Sequence, residues 1–244
     1  MRLDRFLANS GKGTRSDVKK LISSGKVSVN GQIIKDAGYQ LKGSDSVTVG
    51  ESSVSGKTFL YYLLDKPDQV LTAMEDKRLK CVGDLIPASL KGRKLSPVGR
   101  LDYHTTGLLL ITNDGELSHR ITSPRYRIEK VYKVTYSGGS LSEEHVREAA
   151  GGIVLTDTDK PVKLAPAGLE LISGDTCLIT LTEGKTHEVR RILSHFGREV
   201  IELRRIKLGN LELNEVLPGE LRELTEEELA CLLALTSLEP SPRR

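Results

Sequence analysis

A chain of 244 residues with 38% hydrophobic and 28% charged residues is long enough to bury a full core and to divide into a small and a larger domain. No apolar run approaches the ~18 residues of a membrane span, and MRLDRFLANSGKG carries no apolar signal segment, so a membrane or secreted protein is not expected. Cys81, Cys177 and Cys231 lack C-x-x-C spacing, which argues against a disulfide framework or zinc ribbon and for the reducing cytoplasm.

Charge is unevenly spread. Residues 1–50 hold nine Lys/Arg against four Asp/Glu, net +5, which leaves net −2 for the other 194 residues. A basic head on a slightly acidic body suits a polyanionic partner, although a solvated surface has the same composition. In RLDRFLANSGKG, Leu3, Phe6 and Leu7 fall at helical spacing with Gly11 as a stop. In TRSDVKKLISSG, Thr14 or Ser16 can cap a second helix, Val18, Leu21 and Ile22 share a face, and Gly25 ends it. Packing the apolar faces together leaves Arg2, Arg5, Arg15, Lys19 and Lys20 outward. KVSVNGQIIKD then alternates about Asn30-Gly31, a two-residue hairpin signal, and VTVG adds a strand at 47–50. Together RLDRFLAN, TRSDVKKLISSGKVSVNG and GSDSVTV resemble the S4-type RNA-binding domain over residues 1–50. The resemblance implies that the five outward basic residues grip RNA phosphates, a largely sequence-independent mode of binding.

Polar ESSVSGKT at 51–58 reads as a linker, and residues 59–236 as one body. FLYYLLDKP is a strand closed by Lys66-Pro67, and residues 107–112 form another, buried on both faces. Asn113-Asp114-Gly115 turns into a helix, ELSHRIT, that Pro124 stops. VYKVTYSG is a strand, and Ser142 caps a helix through Ala150. LELISGDTCLITLTEG reads as a hairpin and THEVRRILSHFG as a helix with Val189, Ile192, Leu193 and Phe196 on one face. EVIELRRIKLGNLEL returns as strands, Thr225 and Glu228 box the start of a last helix, and 237–244 is a tail. Strands with irregularly placed helices predict an α+β fold with a largely antiparallel mixed sheet flanked by helices.

VGRLDYHTTGLLLITNDG (98–115) sets one short acid, Asp102, two positions from Arg100 and just before a core strand. An isolated Asp beside a turn is most often an Asx-turn residue. Tyr132 alone in an alternating strand reads as packing, and Arg190 alone on a helix as solvated. GRLDYHTTGLLLITN, however, resembles the signature segment of the RsuA/RluB family of RNA pseudouridine synthases, and LLDKP and EGKTHEVRRILSHFG follow in that family's order. DGELSHRITSPRYRIEKVYKV is more similar to the branch that acts on small-subunit rRNA.

The resemblance implies isomerisation of a uridine within 16S rRNA, free or in an assembling small subunit, by a monomer without cofactor or metal. Asp102 would be the essential acid, attacking sugar or base or stabilising a glycosyl intermediate. Arg190 would pair with Asp102 and keep it ionised; Tyr132 would stack on the base and move a proton. Arg100 would help extrude the uridine, and Thr105 and Gly107 would shape the turn that presents Asp102. The family usually has Gln where this chain has Glu188, which adds a negative charge near the RNA or an acid at a helix N-terminus. The five histidines lack H-E-x-x-H spacing, so no metal site is expected. The alternatives are a large-subunit rRNA synthase and a non-catalytic RNA-binding ribosome-assembly protein.

Overall fold

The structure, a computed structural model, describes residues 2–42, 45–54, 59–157, 159–214 and 216–238. Residues 43–44 of the GSDSVTV segment, 55–58 of the expected linker and 239–244 of the expected tail lie outside the described residues.

The head forms the two expected helices, α1 (Leu3–Asn9) and α2 (Arg15–Ser23), and a four-stranded sheet. Thr14 starts α2 with a capping box: its hydroxyl accepts the Asp17 N–H at 3.2 Å while the Asp17 carboxylate accepts the Thr14 N–H at 3.0 Å. Strands β1 (Val27–Val29) and β2 (Gln32–Ile33) pair across Asn30 and Gly31, whose φ angles of +49° and +81° are those of a type I′ turn. β3 (Val47–Val49) and β4 (Ser52–Val54) complete the order β2-β1-β3-β4. Leu3, Leu7, Val18, Ile22 and Val27 are fully buried between the helices and this sheet. Residues 52–54, expected as linker, are therefore a strand: Val54 pairs with Val47 and sits in the head's core.

The body is organised on a nine-stranded mixed sheet among the described residues, with main order β11-β12-β8-β13-β7-β5-β15. Its strands are β5 (Tyr61–Lys66), β6 (Ser96–Pro97), β7 (Thr105–Thr112), β8 (Lys130–Ser137), β11 (Gly168–Ser173), β12 (Thr176–Leu181), β13 (Glu199–Leu208), β14 (Leu211–Glu212) and β15 (Leu221–Glu223). A separate ribbon joins β9 (Val154–Leu155) to β10 (Val162–Lys163). The helices are α3 (Val82–Leu85), α4 (Gly115–Thr122), α5 (Glu143–Gly151), α6 (Glu188–His195) and α7 (Glu226–Leu235). Among the described residues the named strands pair antiparallel except β13 with β7, which gives the largely antiparallel α+β architecture that the pattern predicts. The short α3, β6, β9, β10 and β15 carry too little periodicity to be read in advance.

Strand β7 is buried on both faces, as its aliphatic run predicts. Leu108 and Leu110 pack with Leu117 and Ile121 of α4 and Leu232 and Leu233 of α7; Leu109 and Ile111 pack with Val70, Val82, Ile86 and Leu101 on the other side. Leu238 is buried in the first of these clusters, so 237–238, expected as tail, belong to the body. Toward the far edge, Val189, Ile192 and Leu193 of α6 and Ala149 of α5 cover β8, β12 and β13. No helix among the described residues is long and apolar enough to cross a membrane.

Gly107 shows why the central crossing needs a residue without a side chain. It lies within β7 beside β13, not in the turn before the strand, with φ +101°, and a Cβ there would stand 2.2 Å from the Arg205 carbonyl oxygen. The backbone conformation and the contact both exclude a side chain. Gly107→Ala should cost about 2–4 kcal/mol of unfolding free energy, seen as a lower urea midpoint at unchanged m. An unchanged midpoint would show that β7 and β13 can separate without loss.

Candidate active site

Asp102 lies in the turn that leads into β7, where the Thr105 N–H donates to its backbone carbonyl at 3.0 Å. Both flanking residues are clamped by the segment that follows β5. The Thr72 hydroxyl donates to the Leu101 carbonyl at 2.6 Å and accepts the Leu101 N–H at 3.1 Å. The Tyr103 carbonyl accepts from the Gln69 N–H at 3.1 Å and from the Lys66 ammonium at 3.3 Å.

Lys66 is fully buried at the end of β5, and its ammonium also donates to the carbonyls of Val70 at 2.8 Å and Pro67 at 3.0 Å. It thus ties three carbonyls from two loops to one charge. Burial lowers its pKa to about 8, against the opposing pull of Asp68 and Asp102. The neighbouring Asp65 is equally buried and holds Arg204 at 2.6 Å.

The Asp102 side chain remains 41% exposed and stands between two cavities. The first, of 610 Å³, is lined by Arg100, Asp102, Thr105, Tyr132, Leu181, Lys185, His187, Glu188 and Leu203 among others. Such a volume falls within the ~300–1,000 Å³ typical of ligand sites. Tyr132 projects from β8, packed where two hydrophobic clusters meet. Thr105 is buried and Arg100 is exposed at the rim. The second cavity, of 780 Å³, adjoins Asp102 on the side of Tyr103, His104, Arg190, Ile201 and Arg204.

The structure therefore brings Asp102, Tyr132, Arg100 and Thr105 to one cavity. Gly107 lines neither. Arg190 does not form the expected pair with Asp102: it lies in the second cavity and donates to the Val200 carbonyl at 3.2 Å. The ring that faces Asp102 is His187, with Nε2 3.7 Å from Oδ1. His187 caps the start of α6 in the left-handed region (φ +52°, ψ +30°), a conformation that is uncommon outside glycine and concentrates at functional sites. The other bases nearby are occupied: Lys185 by Glu183 at 2.7 Å, Arg191 by Asp157 at 2.6 Å, and Arg204 by Asp65.

Lys66 and His187 are the residues that sequence reasoning missed here. The signal for Lys66 was a charge closing an otherwise apolar strand; for His187 it was adjacency to the EVRR turn. In the head, Arg5, Arg15, Lys19 and Lys20 are exposed, whereas the exposed Arg2 is held by the Asp4 carboxylate at 2.8 Å. Arg2 is thus less available to a phosphate than the other four.

Residues 60–195 match the RNA pseudouridylate synthase family and residues 1–47 match the S4 domain. The chain belongs to the RNA pseudouridylate synthase family and is an RNA pseudouridine synthase, an isomerase with an S4 RNA-binding domain. It is 41% identical to an RNA pseudouridine synthase of Aquifex aeolicus, over 98% of this chain and 99% of that one. It is 38% identical to the ribosomal large subunit pseudouridine synthase B of Bacillus subtilis, over 96% of each chain. To the ribosomal small subunit pseudouridine synthase A of Haemophilus influenzae it is 36% identical, over 96% of this chain and all of the other. A crystal structure of a pseudouridylate synthase superposes with a TM-score of 0.66 at 33% identity, covering 95% of this chain and 99% of that one.

Lys66→Met keeps the apolar stem but leaves three carbonyls short of a donor and frees the Asp102 turn. Turnover should fall at least ~10²-fold, as expected when a reacting group is misplaced by about 1 Å. Unfolding free energy should fall by roughly 2–4 kcal/mol. Single-turnover rates and urea titrations measure the two effects. Turnover near that of the unaltered protein would mean that Thr72 and Gln69 hold the turn alone.

Proposed function

We propose that this chain converts one uridine of small-subunit (16S) ribosomal RNA to pseudouridine in the cytoplasm, working as a monomer. The observation that carries the reading is the exposed Asp102 carboxylate, held by an anchored turn opposite Tyr132 in a cavity that opens to solvent. In this reaction the C1′–N1 bond breaks, the base turns over, C1′ joins C5, the C5 proton leaves and N1 gains a proton. Nothing is oxidised and no group is added, so the side chains have only to hold, orient and move protons.

Asp102 supplies the negative charge, as a nucleophile or as the partner of the glycosyl cation. Tyr132 packs against the turning base and offers its hydroxyl for proton transfer. Arg100, at the rim, replaces contacts that the uridine loses when it leaves its stack, a loss of a few kcal/mol. His187 takes the neighbouring position to Asp102 that was expected of Arg190. Arg190 is then left to the second cavity, where a phosphate flanking the uridine would meet it. Gly107 shapes the start of β7, Thr105 does so from the wall of the first cavity, and Arg5, Arg15, Lys19 and Lys20 bind phosphates at a distance from the cavity.

The small-subunit assignment rests on the ELSHRITSPRYRIEKVYKV segment (116–134), which resembles the small-subunit branch, and on relatives described as small-subunit synthases. The large-subunit relative of Bacillus subtilis, at 38% identity, favours a second reading with the same chemistry on 23S rRNA. Mapping pseudouridines in rRNA from cells with and without the gene separates them. A single site lost from 16S rRNA is the expected result; a site lost from 23S rRNA overturns the small-subunit assignment and supports the second reading.

A further inference from the structure

The first cavity is closed on one side by the turn that links β12 to α6, and that turn contains two carboxyl groups where one charge would suffice. Glu188, the first residue of α6, is only 4% exposed. Its Oε2 accepts the Lys185 N–H at 2.8 Å while its own N–H donates to the Lys185 carbonyl at 3.2 Å, so it closes the turn 185–188 from both ends. Its other oxygen, Oε1, is fully buried and has no donor among the described residues. The neighbouring carboxyl group is Glu183, within hydrogen-bonding reach of Glu188. Glu183 is well supplied with donors: the Ala165 N–H at 2.6 Å and the Lys185 ammonium at 2.7 Å.

Two carboxylates side by side, Glu188 buried and Glu183 partly buried, with an unpaired oxygen on Glu188, form an arrangement that a single proton resolves. We propose that Glu188 is a positioning residue that works as a neutral carboxylic acid, donating its proton to Glu183 so that the turn presenting His187 to Asp102 stays closed. This rests on the reading of the Asp102 cavity as the reaction site.

The charged groups that face Glu188 act on it in both directions. Glu183 stays ionised: burial pushes it up, but the Lys185 ammonium and the Ala165 N–H outweigh that and draw it down. Glu188 moves the other way, raised to about 7 by burial, with Glu183 adding to the rise and the Lys185 N–H and ammonium opposing it. From β8, Lys130 approaches; burial and the nearby Arg205 lower its pKa while Glu188 raises it, and its ammonium donates to the Ile128 carbonyl at 2.8 Å and not to Glu188. From α6, Arg191 is committed to Asp157. Among the described residues no basic side chain hydrogen-bonds to Glu188. Loss of its proton would place two adjacent negative charges at the turn beside the cavity, and their separation would pull on Lys185 and on His187, one residue from Glu188. A neutral acid also removes the negative charge that a glutamate would otherwise set near the RNA.

The sign of the stability effect follows. A carboxyl group with a raised pKa binds more protons folded than unfolded between about 4.5 and about 7, so its presence costs stability increasingly over that interval and fully above it. Glu188→Gln keeps an acceptor for the Lys185 N–H and an N–H donor for Glu183, and it cannot ionise. It should melt ~5 °C above the unaltered protein at pH 8 and near it at pH 5.

The decisive experiment reads the proton directly. In full-length protein with ¹³C-labelled glutamate side chains, the carboxyl resonance that disappears in Glu188→Gln should titrate near pH 7. In parallel, tritium release from a small-subunit rRNA transcript labelled at uridine C5 should show kcat of the unaltered enzyme falling ~3-fold or more between pH 6 and 7.5, at nearly constant KM. Glu188→Gln should hold a flat kcat over that interval, which lies below the Lys66 titration at about 8. Glu188→Met, neutral but without hydrogen bonds, should lose kcat at every pH. A Glu188 resonance titrating in the ordinary carboxylate range overturns the proposal; so do parallel pH profiles for Glu188→Gln and the unaltered enzyme, or an inactive Glu188→Gln that is folded. If no variant releases tritium, the functional reading fails while the NMR and melting results still decide the protonation of Glu188.

Discussion

The buried Lys66 ammonium carries more of this architecture than its single charge suggests. It sits at the end of a core strand and draws together the carbonyls of Pro67, Val70 and Tyr103. Through Tyr103 it fixes the turn that holds Asp102; through Pro67 and Val70 it fixes the loop whose Thr72 and Gln69 grip the same turn from the other side. A buried cation satisfied by three carbonyls is stable only while all three stay in place, so the geometry of the acid is linked to the integrity of the sheet beneath it. The cation also stands near Asp102 without neutralising it by contact, leaving the carboxylate free to face a substrate.

The sheet explains why such a site can be both rigid and open. β7 is covered on both faces, and its N-terminal end is pinned beside β13 by the side-chain-free crossing at Gly107. The acid therefore enters from a strand that has no room to shift. The opposite wall is supplied by α6 and the turn before it, a separate element that holds the buried Glu188 beside Glu183. In the proposed reading the reaction site is the junction of a fixed half, β5 and β7, with a half that closes through hydrogen bonds in the turn 185–188. The basic side chains of the head lie on their own small domain, and the proposed reading gives them a charge-based hold on RNA phosphates.

Much of this was legible in the sequence where the determinants are local. The Thr14 cap, the Asn30-Gly31 hairpin, the Thr225–Glu228 capping box and the two-sided burial of Leu108–Ile111 each follow from a few adjacent residues. Asp102 and Tyr132 were legible through resemblance, and the structure brings them to one cavity. What was not legible depends on backbone partners and on burial. The partners of Lys66 are backbone carbonyls, and no side-chain pattern announces them. The pairing of Arg190 with Asp102 was expected by analogy, but the first turn of α6 directs His187 toward the acid and leaves Arg190 on the Val200 carbonyl. Glu188 was expected as an extra charge near RNA or as an acid at a helix N-terminus; it is the first residue of α6, and its burial and its carboxyl neighbour became visible only with the fold. Strand β4 was hidden by the polar composition of Ser52 and Ser53, whose side chains face solvent while Val54 reaches the core.

The central claim is that the Asp102 carboxylate does the chemistry and that the rest of the protein holds it. Asp102→Asn tests it most directly, because the amide keeps the size of the side chain and removes the charge. With the rRNA transcript, the variant should bind as tightly as the unaltered protein and release no tritium from uridine C5 even in prolonged single-turnover reactions. Pseudouridine formed by this variant at a rate within an order of magnitude of the unaltered enzyme would contradict the account.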